Sequence, residues 1–272
     1  LSVWENIAFG LKRGDMDKRA IATRVEEMLK LTRLSKFAGR KPHQISGGQR
    51  QRVALARSLA KAPKLLLLDE PLGALDKKLR QDTQFELMDI QESTGTTFVI
   101  VTHDQEEAMT VASRVAVMDE GRIIQVATPD GIYEAPNSVY VADFIGDVNI
   151  IEGTVKPAGD GMYSLAWAEN EPPFLATSDV PFSDGKNAHL AIRPEKISIT
   201  TERPEEAKNA VQGSVLDIAY LGNLSTYYVQ LAGGQIIKAQ TANTRRLSRR
   251  SITWEDKVWI SWNATAGVLL AQ

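Results

Sequence analysis

Two short apolar runs, each ended by polar residues, limit most strongly what this chain can fold into. "LLLLDEP", residues 65–71, sets four leucines ahead of two carboxylates, and "TTFVIVTHD", residues 96–104, ends on a histidine and an aspartate. Such runs are too short for helices, and strands apolar on both faces are typical of a parallel sheet covered by helices on each side. Ligands bind beyond the carboxyl ends of such strands. The runs therefore predict a buried sheet that holds Asp69, Glu70 and His103 at one edge.

The composition is that of a folded chain with room for two domains. The 272 residues are 43% hydrophobic and 24% charged, values that indicate neither disorder nor a fibrous protein. A formal net charge of -2 argues against a partner held mainly by charge, such as nucleic acid in bulk. The absence of cysteine excludes disulfides and thiolate metal sites. No apolar run approaches the ~20 residues that a membrane-spanning helix requires.

The hydrophobic pattern divides the chain into three parts. Residues 1–62 carry apolar side chains at helical spacing, which predicts a helical subdomain. Residues 63–147 alternate between strand and helix patterns and include a hairpin turning near Glu120 and Gly121, which predicts an α/β sheet. Residues 148–272 contain short alternating segments with many glycines, prolines and aromatics, which predict a small all-β domain, with room for two related barrel-like halves.

The stretch "ISGGQRQRVALARSLA", residues 45–60, allows two interpretations. Ser46 and Gln49 fit a capping box, in which their side chains satisfy unpaired amides of the first helical turn. Capping does not explain Gly47 and Gly48, which leave bare amides at a helix N-terminus, open to an anion such as phosphate. From the residues alone, a structural cap and a phosphate site both remain open.

The polar residues after the two apolar runs also allow a structural and a functional interpretation. Asp69 and Glu70 could simply end a strand in solvent. Alternatively, Asp69 could hold Mg²⁺ through its water shell, while Glu70 polarises the water that attacks a γ-phosphate. His103 would then hydrogen-bond the γ-phosphate and hold that water, with Asp104 and Glu107 capping the next helix.

A third polar segment, "GALD" at residues 73–76, lies between the two runs. It predicts a tight loop leading into a helix that Asp76 could cap. The functional alternative is a loop that contacts a second subunit. The spacing alone does not decide between them.

Four motifs in this order and spacing resemble those of ABC transporter ATPases: "ISGGQ" the signature motif, "LLLLDEP" the Walker B strand, "GALD" the D-loop and "VTHD" the switch histidine. The resemblance implies a P-loop NTPase (ABC ATPase) fold with a parallel sheet and helical subdomain over residues 1–147. The region with "LAIRPEKI" resembles the OB-like accessory (TOBE) domain of importer ATPases, over residues 148–272. "GDVNIIEGTV" and "AYLGNLSTYYVQL" are most similar to polyamine importers, the putrescine type in particular.

The resemblance also implies cofactors and partners. ATP and Mg²⁺ are the expected ligands, with Glu70 and His103 as catalytic residues and Asp69 as the metal residue. A second copy of the subunit is expected to form a head-to-tail dimer in which a short segment of one copy binds the ATP of the other: Ser46, Gly47, Gly48 and Gln49. Asp76 would lie in the dimer loop. Further expected partners are membrane permease subunits and, indirectly, a periplasmic binding protein, but no nucleic acid; the implied location is peripheral, on the cytoplasmic face of the bacterial inner membrane.

The sequence departs from the family pattern in two ways. Ile45 stands where the signature motif usually begins with leucine, a conservative change. No G-x-x-x-x-G-K-[ST] motif occurs in these 272 residues, and the one Gly-Lys pair, at Gly185, is followed by asparagine. We expect the family's phosphate-binding loop to precede Leu1. The polypeptide that begins at Leu1 is therefore predicted neither to bind ATP tightly nor to hydrolyse it.

Other functions fit parts of the sequence. A soluble ABC-type ATPase acting on nucleic acid or ribosomes is suggested by an OB-like domain and by clustered arginines near aromatic residues, namely Arg245, Arg246, Arg249 and Arg250. An importer ATPase for sugar or iron, of the same family, is another alternative. A binding module without catalysis, in which the β domain is the useful part, is a third.

Overall fold

The structure is a computed structural model that describes residues 1–73, 77–178, 180–244 and 251–271. The chain divides into two compact units, Leu1–Val115 and Ala116–Gln272. The division of the sequence into residues 1–147 and 148–272 remains a prediction.

The first unit is mainly helical, as the apolar spacing predicts. Buried side chains such as Ile7 on α1, Val25 on α2 and Leu59 on α3 form its core. Short-range capping fixes where the helices begin, because Ser2 caps α1 and Asp17 caps α2 through side-chain oxygens. The helices are α1 (Val3–Ala8), α2 (Lys18–Leu31), α3 (Gly47–Leu59), α4 (Lys77–Thr94) and α5 (Gln105–Val111), with 3₁₀ turns at Leu11–Arg13, Ser35–Phe37 and Pro42–Gln44.

The two apolar runs form parallel strands, β1 (Leu65–Asp69) and β2 (Thr97–Val101). Leu66 packs into the helical core, but on the opposite face Leu67 is 70% exposed and Val101 59% exposed. The expectation of a sheet buried on both faces is therefore wrong for the described residues. The physical reason is that the helical core lies on one face of this two-stranded sheet, while the leucines on the other face have no such cover.

The predicted hairpin is confirmed. Strands β3 (Val115–Asp119) and β4 (Arg122–Ala127) pair with each other. Glu120 and Gly121 both have positive φ, 44° and 77°, as a two-residue turn of the I′ type requires. Two short helices follow, α6 (Pro129–Glu134) and α7 (Val139–Phe144).

The rest of the second unit is all-β, as its alternating segments predict. One set of strands forms a closed barrel in the order β14-β7-β6-β5-β8, and another forms a five-stranded sheet in the order β12-β11-β10-β13-β9. The strands are β5 (Asn149–Gly159), β6 (Met162–Ala166), β7 (Phe174–Thr177), β8 (Lys186–Ile192), β9 (Ser198–Thr200), β10 (Asn209–Tyr220), β11 (Leu224–Leu231), β12 (Ile236–Ala242), β13 (Lys257–Trp262) and β14 (Gly267–Leu270).

The barrel and the sheet are two halves of the same design, with their fifth strands exchanged. β5 to β8 pair in the same order as β10 to β13, but β9 follows β8 along the chain and pairs with β13, while β14 follows β13 and pairs with β8. An asparagine begins each half. The Asn149 side chain bonds both backbone groups of Lys238, at 2.9 and 2.7 Å, and the Asn209 side chain bonds both backbone groups of Leu175, at 2.8 and 2.7 Å. The halves are thus fastened reciprocally.

A glycine four residues after each asparagine allows the strands to come close. A Cβ at Gly213 would lie 2.5 Å from Val229 Cγ1 and 2.7 Å from the Gln230 carbonyl oxygen. We expect Gly213→Ala to lower the free energy of unfolding by about 1–3 kcal/mol, because the backbone must shift to relieve the overlap. Denaturant midpoints should show this loss, whereas the control Gly233→Ala, where the nearest atom is 3.8 Å away, should unfold like the unsubstituted protein. Equal midpoints for both variants would contradict the prediction.

Candidate active site

The parallel register of β1 and β2 brings Glu70 and His103 together. Asp69 lies opposite Val101, and the Glu70 amide donates a hydrogen bond to the Val101 carbonyl at 2.8 Å. His103 follows Val101 by two residues, and its Nδ1 lies 2.9 Å from Glu70 Oε1. The side chains of His103 and Glu70 are 75% and 55% exposed, so this pair faces open space at the end of the sheet.

The chain turns sharply at Glu70, immediately after the strand. Glu70 has a φ of 44°, a left-handed conformation that costs a non-glycine residue of order 1 kcal/mol. The turn is closed by the Gly73 amide, which donates to the Glu70 carbonyl at 3.3 Å. Glu70 is also the residue whose carboxylate contacts His103. Strained backbone conformations of this kind are typically found at functional sites.

The contact with Glu70 determines which ring nitrogen of His103 donates a hydrogen bond and which one faces a ligand. An ionised carboxylate can only accept hydrogen bonds, so opposite such a group Nδ1 of His103 is the donor of the hydrogen bond to Glu70 Oε1. The second ring nitrogen, Nε2, then accepts hydrogen bonds when the ring is neutral and donates one when it is protonated. The pair can therefore offer a carboxylate oxygen and an imidazole nitrogen to the same ligand.

The residues after His103 are anchored from two sides. Asp104 caps α5 by accepting from the Glu107 amide at 3.1 Å, as predicted, and it also forms an ion pair with Arg80 on α4. Glu107 does not complete the capping box, which corrects the sequence prediction. Glu107 is 1% exposed, and its carboxyl group accepts from the Thr102 hydroxyl at 2.7 Å. The Asp104 amide, which the box would use, donates to that same hydroxyl at 3.0 Å.

Burial at this anchor changes the pKa of Glu107. Removal of its carboxyl group from water raises the pKa of Glu107, and the hydrogen bond from Thr102 partly opposes this. The supporting roles of Arg80 and Thr102 were not predicted from the sequence. The arginine lies in a polar helix 24 residues before its aspartate, and no local pattern marks such a pair. Only the threonine, next to the histidine, could have been noticed.

The start of α3 has the predicted capping box and unpaired amides as well. Ser46 Oγ accepts from the Gln49 amide at 3.3 Å, and Gln49 Oε1 accepts from the Ser46 amide at 2.9 Å. Within the described part of the chain, the amides of Gly47 and Gly48 donate no hydrogen bond. Gly47 is exposed, and a Cβ there would meet only Arg50 Nη2, at 3.8 Å, whereas Gly48 is buried. The two interpretations are therefore compatible.

The predicted site residues fall into separate groups in one chain. Glu70 and His103 are in contact and Asp69 is exposed beside them, but among the described residues no hydrogen bond joins this group to the start of α3. No group of three or more metal-binding side chains occurs among the described residues. Asp76 lies outside the described residues, so its predicted place in a dimer loop remains a prediction.

Comparisons with known proteins identify the family. Residues 1–73 match the family model described as ABC transporter, and residues 190–270 match the one described as TOBE domain. The putrescine transport ATP-binding protein PotG of Escherichia coli (strain K12) is 50% identical over 270 residues, which cover 99% of this chain and 72% of that protein. The chain belongs to the ATP-binding subunits of ABC transporters. The spermidine/putrescine import ATP-binding protein PotA of Protochlamydia amoebophila is 43% identical over 272 residues, covering 99% of this chain and 73% of that protein.

A solved structure also matches this ABC ATP-binding subunit. CbiO1 from Clostridium perfringens, described as part of the ABC transporter complex cbiONQ, is 34% identical, with a TM-score of 0.47. The match covers 48% of this chain and 52% of that one.

The family that the four motifs indicated is therefore confirmed. ATP hydrolysis coupled to transport is the activity of this family, and importer ATP-binding subunits work with membrane permease components. Over the described ranges, none of the helices has the length and apolar character needed to cross a bilayer. The arginine cluster that suggested nucleic acid, residues 245–250, lies outside the described residues. The roles of individual site residues remain predictions.

Proposed function

We propose that this chain hydrolyses ATP to power a polyamine importer of the putrescine type. The contact of Glu70 Oε1 with His103 Nδ1, at 2.9 Å, carries the catalytic part of the proposal. The names of the relatives, a putrescine transport and a spermidine/putrescine import ATP-binding protein, carry the substrate part. The partners would be a second copy of the chain, permease subunits and, through them, a periplasmic binding protein. The subunit would lie peripherally, on the cytoplasmic face of the inner membrane.

The pair would act on the water that attacks the γ-phosphate. Phosphoryl transfer involves little covalent chemistry for the protein, so catalysis consists mainly of positioning and of charge stabilisation. Glu70 can accept a hydrogen bond from the water and polarise it as it approaches in line. A γ-phosphate oxygen accepts hydrogen bonds, so His103, oriented by Glu70, would donate to it from Nε2 of the doubly protonated ring and keep water and phosphate in register. Neither group needs to move far, because both already lie at one sheet edge.

Asp69 fits the part of a magnesium ligand. Mg²⁺ usually keeps several waters and is held by one or two carboxylates together with substrate phosphates. Asp69 is an exposed carboxylate beside Glu70, and the described residues contain no cluster of three metal-binding side chains. A single protein carboxylate of this kind fits a Mg²⁺ site that is completed by water and phosphate oxygens. When bound, the ion would neutralise charge on the phosphate oxygens.

The start of α3 would serve the ATP of the partner subunit. Unpaired amides and the positive end of the helix dipole favour an anion there. Ser46 and Gln49 hold this helix end in shape through the capping box, while Gly47, which is exposed, presents its amide and Gly48 lies buried behind it.

Uptake by cells tests this proposal. A chimera should join residues 1–272 to the unmatched part of the E. coli putrescine relative, and it should be expressed in cells that lack that relative. We expect radiolabelled putrescine uptake to return, because the chain supplies the hydrolysing group that drives the permease. The intact relative is the positive control, and ATPase activity of the purified chimera shows that it folds. An active chimera that supports uptake of sugar or iron, and not of putrescine, would overturn the substrate assignment.

A further inference from the structure

Two ion pairs with one carboxylate join α3 and the end of α2 to α4. Arg52 Nη2, on α3, lies 2.6 Å from Glu86 Oε2, and Arg33 Nη1, just after α2, lies 2.9 Å from Glu86 Oε1. The side chains of Glu86 and Arg52 are only 16% and 22% exposed. Partly buried pairs are screened by salt much less than exposed ones, so this contact is expected to persist at physiological ionic strength. We call Arg33, Arg52 and Glu86 the Glu86 triad.

Arg33 takes its place in the triad despite an unfavourable backbone conformation. It has a φ of 57°, in the left-handed region, and it directly follows Thr32, the C-cap of α2. Glycine is the usual residue at this position of a helix end, because a side chain is disfavoured there. An arginine in this conformation indicates a role for its side chain, which reaches Glu86 across 53 residues of sequence.

Packing is incomplete where the triad lies. A cavity of about 170 Å³ is lined by Leu31 and Thr32 at the end of α2, by Asp89 and Ser93 on α4, and by two members of the triad. Atoms that face such a space lack part of their van der Waals contacts, which weakens the attraction between the two elements. The ion pairs are therefore expected to contribute more to the spacing of these elements than they would in a densely packed interface.

α4 also holds the segment that carries the candidate catalytic histidine. Arg80, near the start of α4, forms an ion pair with Asp104, which directly follows His103. Glu86 comes six residues after Arg80, about 9 Å farther along the helix axis at 1.5 Å per residue. One helix is thus fastened to α3 through Glu86 and to the His103 segment through Arg80. A rigid element with two such attachments can transmit a displacement from one to the other.

We propose that Glu86 is a positioning residue for ATP hydrolysis, which holds the start of α3 in a fixed position relative to Glu70 and His103. This inference rests on the proposed function, in which α3 serves the ATP of the partner subunit and the Glu70 and His103 pair serves the ATP of its own chain. A dimer with two such sites closes on both only if these two groups of each chain have the correct spacing. Glu86 acts through α3 and α4 and not by contact with ATP. Without its charge, Arg33 and Arg52 would repel each other and shift α3 against α4.

Turnover by the chimera with the E. coli relative tests the proposal. Glu86→Gln keeps the shape of the side chain and removes its charge, and we expect the maximal rate of ATP hydrolysis to fall about tenfold, within the range found for residues that couple two sites. The affinity for ATP should change by less than about twofold, because the substitution affects closure on nucleotide that is already bound. A purely structural ion pair would instead lower the thermal midpoint and leave the turnover of the folded protein, measured well below that midpoint, unchanged.

Three further variants make the test specific. Arg52→Glu with Glu86→Arg reverses the pair and should recover most of the turnover that either single substitution removes, since Arg33 is 67% exposed and can turn into solvent. Arg52→Lys keeps the charge and loses the planar fork of arginine, so it should cause a smaller loss, and it serves if circular dichroism shows Glu86→Gln to be unfolded. The matched control Glu92→Gln makes the same change at an exposed acid of α4 and should retain full turnover.

The outcomes separate this inference from the proposed function. Full turnover by Glu86→Gln, an equal loss in the Glu92→Gln control, or no recovery in the reversed pair would overturn the positioning role. The proposed function would survive each of these results, because the unsubstituted chimera is active in all of them. An unsubstituted chimera that hydrolyses no ATP would count against the proposed function, and the role of Glu86 would fall with it.

Discussion

Replacing Glu70 with glutamine should lower the rate of ATP hydrolysis by about 10²–10⁴-fold, the usual contribution of a general base. Glutamine has nearly the same shape, and its amide oxygen can still accept from His103 Nδ1, so the 2.9 Å contact is expected to persist. It lacks the negative charge that polarises the attacking water. Nucleotide binding should be retained, because this change leaves the phosphate-binding groups in place.

Phosphate release and nucleotide binding by the chimera with the E. coli relative measure these two effects separately. ATP-bound dimers should accumulate in the Glu70→Gln protein and be visible by size-exclusion chromatography. Glu106→Gln is the matched control, since Glu106 is an exposed acid in the first turn of α5. An equal loss in the control, or full turnover by the Glu70 variant, would remove Glu70 from the catalytic role.

The place of Glu70 and His103 was predictable from the sequence because it depends on short-range facts. Two apolar runs of strand length, separated by a helix, favour parallel pairing, and parallel strands end at the same edge. Each polar residue follows its run directly, so an error of one or two residues in the strand bounds does not move it far. The capping box of Ser46 and Gln49 was equally accessible, because a cap involves only residues three apart.

The two wrong predictions, for Glu107 and for the burial of β1, depend on contacts that the local sequence pattern does not show. Glu107 follows Asp104 at capping-box spacing, yet the Thr102 hydroxyl takes its carboxylate into the interior. Likewise, an unbroken run of leucines does not reveal which face of β1 the unit covers. Coverage depends on where α1, α2 and α3 pack, and Leu67 remains exposed on the face that they do not reach.

The exchange of β9 and β14 illustrates a third limit. The sequence allowed for two barrel-like halves, but choosing a strand's partner requires contacts between residues far apart in the chain. A local trace does exist: "NIIEGTV" at Asn149 and "NAVQGSV" at Asn209 share asparagine, glycine and valine at the same spacing. The pattern identifies equivalent strands, while the crossing of the fifth strand follows only from the observed pairing.

In the chimera with the E. coli relative, substitution of Gly47 by aspartate should reduce ATP turnover by about 10²-fold or more, the scale on which anion-stabilising donors act. A carboxylate there would repel the phosphate that the unpaired amides are proposed to bind. The fold should not suffer, because the described residues, apart from the helix's own backbone, place only Arg50 Nη2 within 4 Å of the new Cβ, at 3.8 Å. An acid in the first turn of a helix is also favourable by about 0.3–1 kcal/mol. Activity should therefore fall while the thermal midpoint stays equal or rises. Gly39→Asp, at an exposed glycine with no atom within 4 Å of an added Cβ, is the matched control and should retain turnover.

Mixing two inactive proteins then tests whether α3 acts on the partner's ATP. In a head-to-tail dimer of Gly47→Asp with Glu70→Gln, one site combines both substitutions, and the other combines an intact Glu70 with an intact Gly47 of the opposite subunit. Turnover should reappear on mixing, although each variant alone is nearly inactive. If α3 instead served the ATP of its own chain, every site in the mixture would carry one defect. The mixture would then stay as inactive as its components, because no exchange of subunits could assemble an undamaged site.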